Sequence, residues 1–147
     1  MAIIDKTKKP NPNDRNENIF LGIDLPFELS DGPEGWFSST SLTIDAVKNN
    51  IKSLLTTERG ERLMQPNLGL NLRKYLFEQI FDDEVIINIQ NEVVDTIRMW
   101  LPMVIVRDIE VSFREVSNIH TLYLNVKFGI AQDPTTLEEL GIEITGE

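Results

Sequence analysis

Cysteine is absent from the 147 residues, which excludes disulfides, thiolate nucleophiles and Cys-based zinc sites together and fits a reducing compartment. Histidine occurs once, at His120, so an imidazole-based triad or zinc site would lack partners within the chain. There is no Gly-x-Ser-x-Gly, no Gly-Lys-Ser/Thr phosphate loop and no dinucleotide fingerprint. No apolar run approaches the length that crosses a bilayer, and Met1-Ala2-Ile3-Ile4-Asp5 lacks a basic region leading into an apolar one, so a soluble, unsecreted protein is expected. Positive charge is scarce as well: 14 Lys and Arg against 24 Asp and Glu leave a net charge of −10, which repels phosphate backbones and anionic lipid. The densest basic stretch, Lys6 to Lys9, is too short to override that balance. These absences predict no nucleic acid, no membrane, no cofactor, no metal and no small-molecule substrate.

What is present is hydrophobic periodicity. Residues 5 to 18 carry no aliphatic side chain and are expected to form a flexible polar arm (1–18), followed by a single α+β domain over 19–147. Ile19, Leu21, Ile23, Leu25, Phe27 and Leu29 alternate as a strand does, and Pro26, lacking an amide hydrogen, either places it at a sheet edge or breaks it. Turn residues follow from Ser30 to Gly35. Ile44, Val47, Ile51, Leu54 and Leu55 recur at helical spacing, with Ser41 or Thr43 as the cap. After a break at Thr56 to Gly69, Asn71 is placed to cap a short helix bearing Leu72, Tyr75, Leu76 and Ile80. Asp82 and Asp83 favour the positive end of a third helix, striped by Ile86, Ile89, Val93, Ile97 and Trp100 and stopped by Pro102. Ile105, Ile109, Val111 and Phe113 then share one face of a strand, and Leu122, Leu124, Val126, Phe128 and Ile130 one face of the next. Ser117 to His120 reads as the hairpin loop between them, with His120 a solvated turn residue. Leu140, Ile142 and Ile144 alternate too, so the tail either adds a strand or waits for one completed elsewhere. The fold class is therefore α+β: an antiparallel sheet packed on about three helices, in the order β-α-α-α-β-β with a C-terminal strand optional.

Carboxylates are the remaining carriers of chemistry, since glycoside hydrolysis needs only two of them, one kept protonated by burial. Glu58 with Glu61, or Glu78 with Asp82, has helical spacing, but Arg59 and Arg62 flank the first pair and favour the ionised form. Asp82-Asp83-Glu84 reads as a helix start rather than a metal site, with no further ligand nearby. The distinctive segment is Thr57 to Gly69, which interleaves Glu58, Arg59, Glu61 and Arg62 with Gly60 and Pro66 and keeps Leu63, Met64 and Leu68 among the charges. A well-ordered loop pinned by ion pairs is expected there, of the kind that contacts other molecules.

In the order Leu54-Leu55-Thr56-Thr57, Gly60-Glu61-Arg62, Gln65-Pro66-Asn67-Leu68-Gly69-Leu70, Leu76-Phe77-Glu78 and Trp100-Leu101-Pro102, the chain resembles the small baseplate wedge proteins of contractile phage tails. Relatives of that family occur in type VI secretion and other contractile injection systems, and the resemblance runs from Leu42 to Ile130. It implies a non-enzymatic structural component of the baseplate, present once per wedge and six times around the tail tube. It implies as partners the other wedge proteins and the tail sheath, with the protein linking inner wedge proteins to the first sheath ring and templating its assembly. It also implies a location in the virion tail after assembly in the host cytoplasm. The positions carried over as interface or motif residues are Arg59, Gly60, Glu61, Arg62, Pro66 and Gly69, and Trp100, Leu101, Pro102 and Met103. Many members of the family have Glu-Pro-Arg where this chain has Leu101-Pro102-Met103, so an apolar contact is implied in place of a charged one. The alternative is a peptidoglycan-cleaving, lysozyme-like tail enzyme, a label some relatives bear.

Overall fold

The computed structural model describes residues 14, 19–30, 32, 35–77, 83–116, 119–131 and 133–146. They fall into two compact units, Met1–Asn50 and Ile51–Glu147, where the sequence pattern sets an arm at 1–18 and one domain after it. Glu78, Ile80, Asp82, Ser117 and Asn118, to which roles are assigned above, lie outside the described residues, as does most of the polar arm.

In the first unit, β1 (Gly22–Ile23) pairs antiparallel with β2 (Ser39–Thr40). The alternation from Ile19 to Leu29 therefore does not make one long strand. Its ladder runs on through Leu21 N to Thr40 O, Asp24 N to Ser38 O, Ser38 N to Glu28 O, the Leu29–Phe37 bridge and Ser30 N to Trp36 O. Between these rungs the chain leaves the ladder at Leu25–Phe27, where Pro26 has no amide to donate. Of the alternating apolar residues Leu29, Phe27 and Ile23 are exposed, at 82%, 68% and 51%, while Ile19, Leu21 and Leu25 are half-buried. Asp14, within the expected arm, is buried and accepts hydrogen bonds from Thr43 N at 2.7 Å and Thr43 Oγ1 at 2.6 Å. A carboxylate from a distant segment thus satisfies an amide at the start of α1 (Thr43–Thr56).

The second unit contains the end of α1, a 3-10 helix (Leu72–Phe77), α2 (Asp83–Trp100) and an antiparallel sheet in the order β3-β4-β5. These strands are β3 (Val104–Val116), β4 (Ile119–Ile130) and β5 (Asp133–Thr145). The tail does add a strand. β4 is central, and Leu122, Leu124, Val126, Phe128 and Ile130 all turn their side chains into the core. Burying a side chain of this size stabilises the fold by about 1.5–3 kcal/mol relative to exposure. α2 packs against β3 and the 3-10 helix against β4 and β5, so Ile89, Val93 and Ile97, and Leu72 and Leu76, close the same core.

Register exposes one error in the sequence pattern. Val106 pairs with Phe128 and Asp108 with Lys127, so Arg107 is an extra residue, a β-bulge. Ile105 lies opposite Gly129, on the other face from Ile109, Val111 and Phe113; Val104 and Val106 take the inner positions. His120 is likewise a strand residue paired with Glu115, since β4 begins at Ile119. The outer face is polar, as a one-sided antiparallel sheet requires. There Lys127 bridges Asp108 and Glu110, and Tyr123 donates to Glu143 at 3.1 Å. Among the described residues no helix is long and apolar enough to cross a membrane.

Tyr75 joins the 3-10 helix to α2: its buried ring carries a hydroxyl that donates to Glu92 Oε2 at 2.8 Å. Burial, and then that hydrogen bond, raise its pKa above the ordinary phenol value. The folded state thus holds the proton more tightly than the unfolded one. The resulting stability is complete below about pH 10 and is lost as pH climbs through the higher folded value. Urea midpoints are expected to fall above that pH, and the fall should be shallower in Tyr75→Phe. That variant should also be less stable at neutral pH by about 0.5–1.5 kcal/mol.

Candidate functional site

The Thr57–Gly69 loop starts where α1 uses up its last carbonyls. Thr56 Oγ1 donates to Lys52 O at 2.8 Å, and Thr57 N and Oγ1 both donate to Ser53 O, at 3.1 and 2.6 Å. The chain returns to the same point: Leu70 N donates to Thr57 O at 2.9 Å, closing a neck. Gly69 makes the closure feasible, because a Cβ there would stand 2.1 Å from Thr57 O and its φ is +97°. Gly60, at φ +92°, turns the chain so that its amide reaches Pro66 O at 2.9 Å, a second rung across the loop.

Side chains then brace this frame. Glu61 Oε2 accepts from Glu58 N at 3.0 Å, Asn71 Oδ1 accepts from Arg59 N at 3.0 Å, and Arg59 Nε donates to Gly69 O at 3.2 Å. Asn71 therefore ties the loop through its side chain, although its backbone carbonyl still accepts Lys74 N. The loop is ordered as expected, but by hydrogen bonds to backbone and not by ion pairs among its own charges. Glu58 pairs with Arg73, outside the loop, at 3.1 Å, and no ion pair among the described residues includes Arg59 or Arg62. Both arginines are exposed, although Arg59 still reaches the Gly69 carbonyl. Arg62 has only a 3.4 Å contact to Ser53 Oγ.

Arg59, Gly60, Glu61, Arg62, Pro66 and Gly69 are thus brought together in one loop, while Trp100, Leu101, Pro102 and Met103 form a separate turn from α2 into β3. Leu101 N donates to Ile97 O at 2.7 Å, Val104 N to Leu101 O at 2.9 Å and Ala131 N to Met103 O at 2.9 Å, so this turn is stitched to the end of β4. Trp100 and Leu101 are half-buried and Pro102 and Met103 exposed, beside Met99 at 76% exposure. Sequence reasoning missed that Leu63 and Met64 stand in solvent at 95% and 94%; apolar residues among charges gave no sign of which way they face. It also missed a cleft of about 290 Å³ at the loop base, floored by Leu55, Leu70 and Leu72 and rimmed by Glu58, Arg73 and the end of β5. Among the described residues no cluster of His, Asp and Glu is arranged to hold a metal ion.

The fold is a small α+β one with counterparts among solved structures. It is shared at TM-score 0.62 with a Geobacter sulfurreducens protein that bears a tail-lysozyme name, 22% identical, covering 71% of this chain and 92% of that one. It is shared at TM-score 0.54 with a chain of the anti-feeding prophage baseplate, 23% identical, covering 82% of this chain and 81% of that one. The model of the baseplate wedge protein gp25 family matches residues 43–135, and the chain belongs to that family. Baseplate wedge protein gp25 of Enterobacteria phage T4 is 27% identical over 109 residues, 72% of this chain and 78% of that protein. The chain is accordingly a structural component of a contractile-tail baseplate.

The neck and the turn make separable predictions for urea-denaturation midpoints. Gly60→Ala meets open space, so it should cost only the left-handed backbone penalty of about 1–2 kcal/mol. Gly69→Ala must also displace the Thr57 carbonyl and should cost clearly more. Equal losses would show that the neck does not hold the loop. Arg62→Ala should move stability by less than about 0.5 kcal/mol, as for other surface changes.

Proposed function

We propose that this chain is a non-enzymatic joint of the baseplate wedge, holding inner wedge proteins and seeding the first ring of sheath, with six copies around the tail tube. The observation that carries the reading is the three-stranded sheet with both long outer strands, β3 and β5, unpaired along one side among the described residues. Such edges present backbone donors and acceptors to an incoming strand, the β-augmentation mode of recognition. β5 is the better candidate for the sheath. α2 packs along β3, and Gln90 Nε2 already occupies the Ile109 carbonyl at 2.8 Å. Beside Glu143, Ile144 and Thr145, by contrast, the open cleft could receive side chains of an added strand.

The lysozyme-like alternative would rest on Glu58 and Glu61. Both are exposed, one paired with Arg73 and the other spent on the Glu58 amide, and neither is enclosed by apolar side chains as a glycosidase general acid is. Purified with the wedge and sheath proteins of its own tail, the chain is expected to enter a stoichiometric wedge complex and to be required for sheath to polymerise from it. Sheath assembly of equal yield without the chain would contradict the joint. A peptidoglycan zymogram should stay uncleared, and a clearing zone lost in Glu58→Gln or Glu61→Gln would contradict the non-enzymatic part.

A further inference from the structure

The tip of the pinned loop is an unusual piece of surface. Leu63 and Met64, adjacent in sequence, are 95% and 94% exposed, while the backbone around them is fixed by Gln65 N to Arg62 O at 3.2 Å and Gly60 N to Pro66 O at 2.9 Å. Beside them is Arg62, whose guanidinium meets no carboxylate among the described residues, in a chain of net charge −10. A flexible tip would lose its entropy on docking; this one has already lost much of it to the neck and its braces. Two apolar side chains give a contact its desolvation energy, Met adapting to an irregular wall, and a planar guanidinium gives it direction toward carboxylates.

We propose that Arg62, Leu63 and Met64 form a preorganised plug that seats in an apolar cleft rimmed by carboxylates on another wedge protein of the same baseplate. This rests on the wedge reading above and names one of its contacts. An anionic lipid surface shares part of that chemistry, but Glu58 and Glu61 in the same loop and the acidic chain as a whole oppose it.

The test uses the full chain, measuring its affinity for each wedge protein of its own baseplate and its own self-association. Leu63→Ser/Met64→Ser and Arg62→Glu should each weaken binding to one wedge protein by about tenfold or more, as loss of a central anchor does. Their melting temperatures should stay nearly unchanged, because Leu63 and Met64 project into solvent and Arg62 has only one long, exposed hydrogen bond to Ser53 Oγ to lose. Wild-type affinity should fall with added salt, and Arg62→Ala should flatten that dependence. If the wild type binds wedge proteins and both variants bind equally well, the plug is refuted while the wedge function stands. If the wild type binds no wedge or sheath protein, both are overturned. If the variants lose only self-association, the occupant is a second copy and the proposal fails.

Discussion

The carbonyl of Thr57 is the point on which the Thr57–Gly69 loop hangs. It accepts the Leu70 amide at 2.9 Å while Thr57 itself is anchored to Ser53 at the end of α1, so the loop leaves and rejoins the domain at one residue. That approach is close enough to forbid any side chain at position 69 without movement. A neck of this kind divides the residues by role. Those at the base, Thr57, Gly69, Leu70 and Asn71, are buried or bonded inward. Those at the tip, Arg62 to Pro66, are left outside with little internal work. Charge crowding in the loop, which looks catalytic in isolation, then has a different sense: Glu58 and Glu61 serve the frame, Arg59 closes it against Gly69 O, and Arg62 remains outward.

The sheet supplies the complementary rigidity. Its central strand contributes an unbroken apolar row to the core, α2 and the 3-10 helix pack against the sheet, and no described strand pairs with the outer side of β5. A baseplate component is held by contacts with its neighbours, and a small domain with two long outer strands, an exposed loop tip and a separate Trp100–Met103 turn presents several distinct surfaces without enlarging its core. The polar outer face, with Lys127 between two carboxylates and Tyr123 against Glu143, gives those edges side chains that discourage indiscriminate pairing.

Most of the second unit was legible in the sequence because its elements are long and their burial one-sided. α1, α2 and β4 follow their apolar periods closely, and β5 is one of the two outcomes that the alternation of Leu140, Ile142 and Ile144 left open. Where periodicity misled, a backbone event was responsible, signalled in one case by Pro26 and in the other by nothing in the sequence. The bulge at Arg107 moved Ile105 to the opposite face, and the departure at Leu25–Phe27 interrupted the ladder of Ile19 to Leu29. The loop was recognisable as ordered from its Gly, Pro and Arg content. Its actual fastenings were not: they are main-chain groups, which every residue has, and the sequence shows only that Asn71, Gly60 and Gly69 allow them. The outward stance of Leu63 and Met64 depends on that frame and could not be read before it.

Amide hydrogen exchange on the folded chain tests the central claim most directly, since it reports on the loop frame itself. The account predicts that the amides of Arg59, Gly60, Leu68 and Leu70 exchange much more slowly than those of an unstructured peptide, with Leu70 at the neck approaching the protection of the last turns of α1. It also predicts that Leu63 and Met64, which have no such bonds, exchange fast between them. Uniformly fast exchange from residue 58 to 70 would show a loop that is not held at Thr57, and would contradict both the frame and the surface built on it.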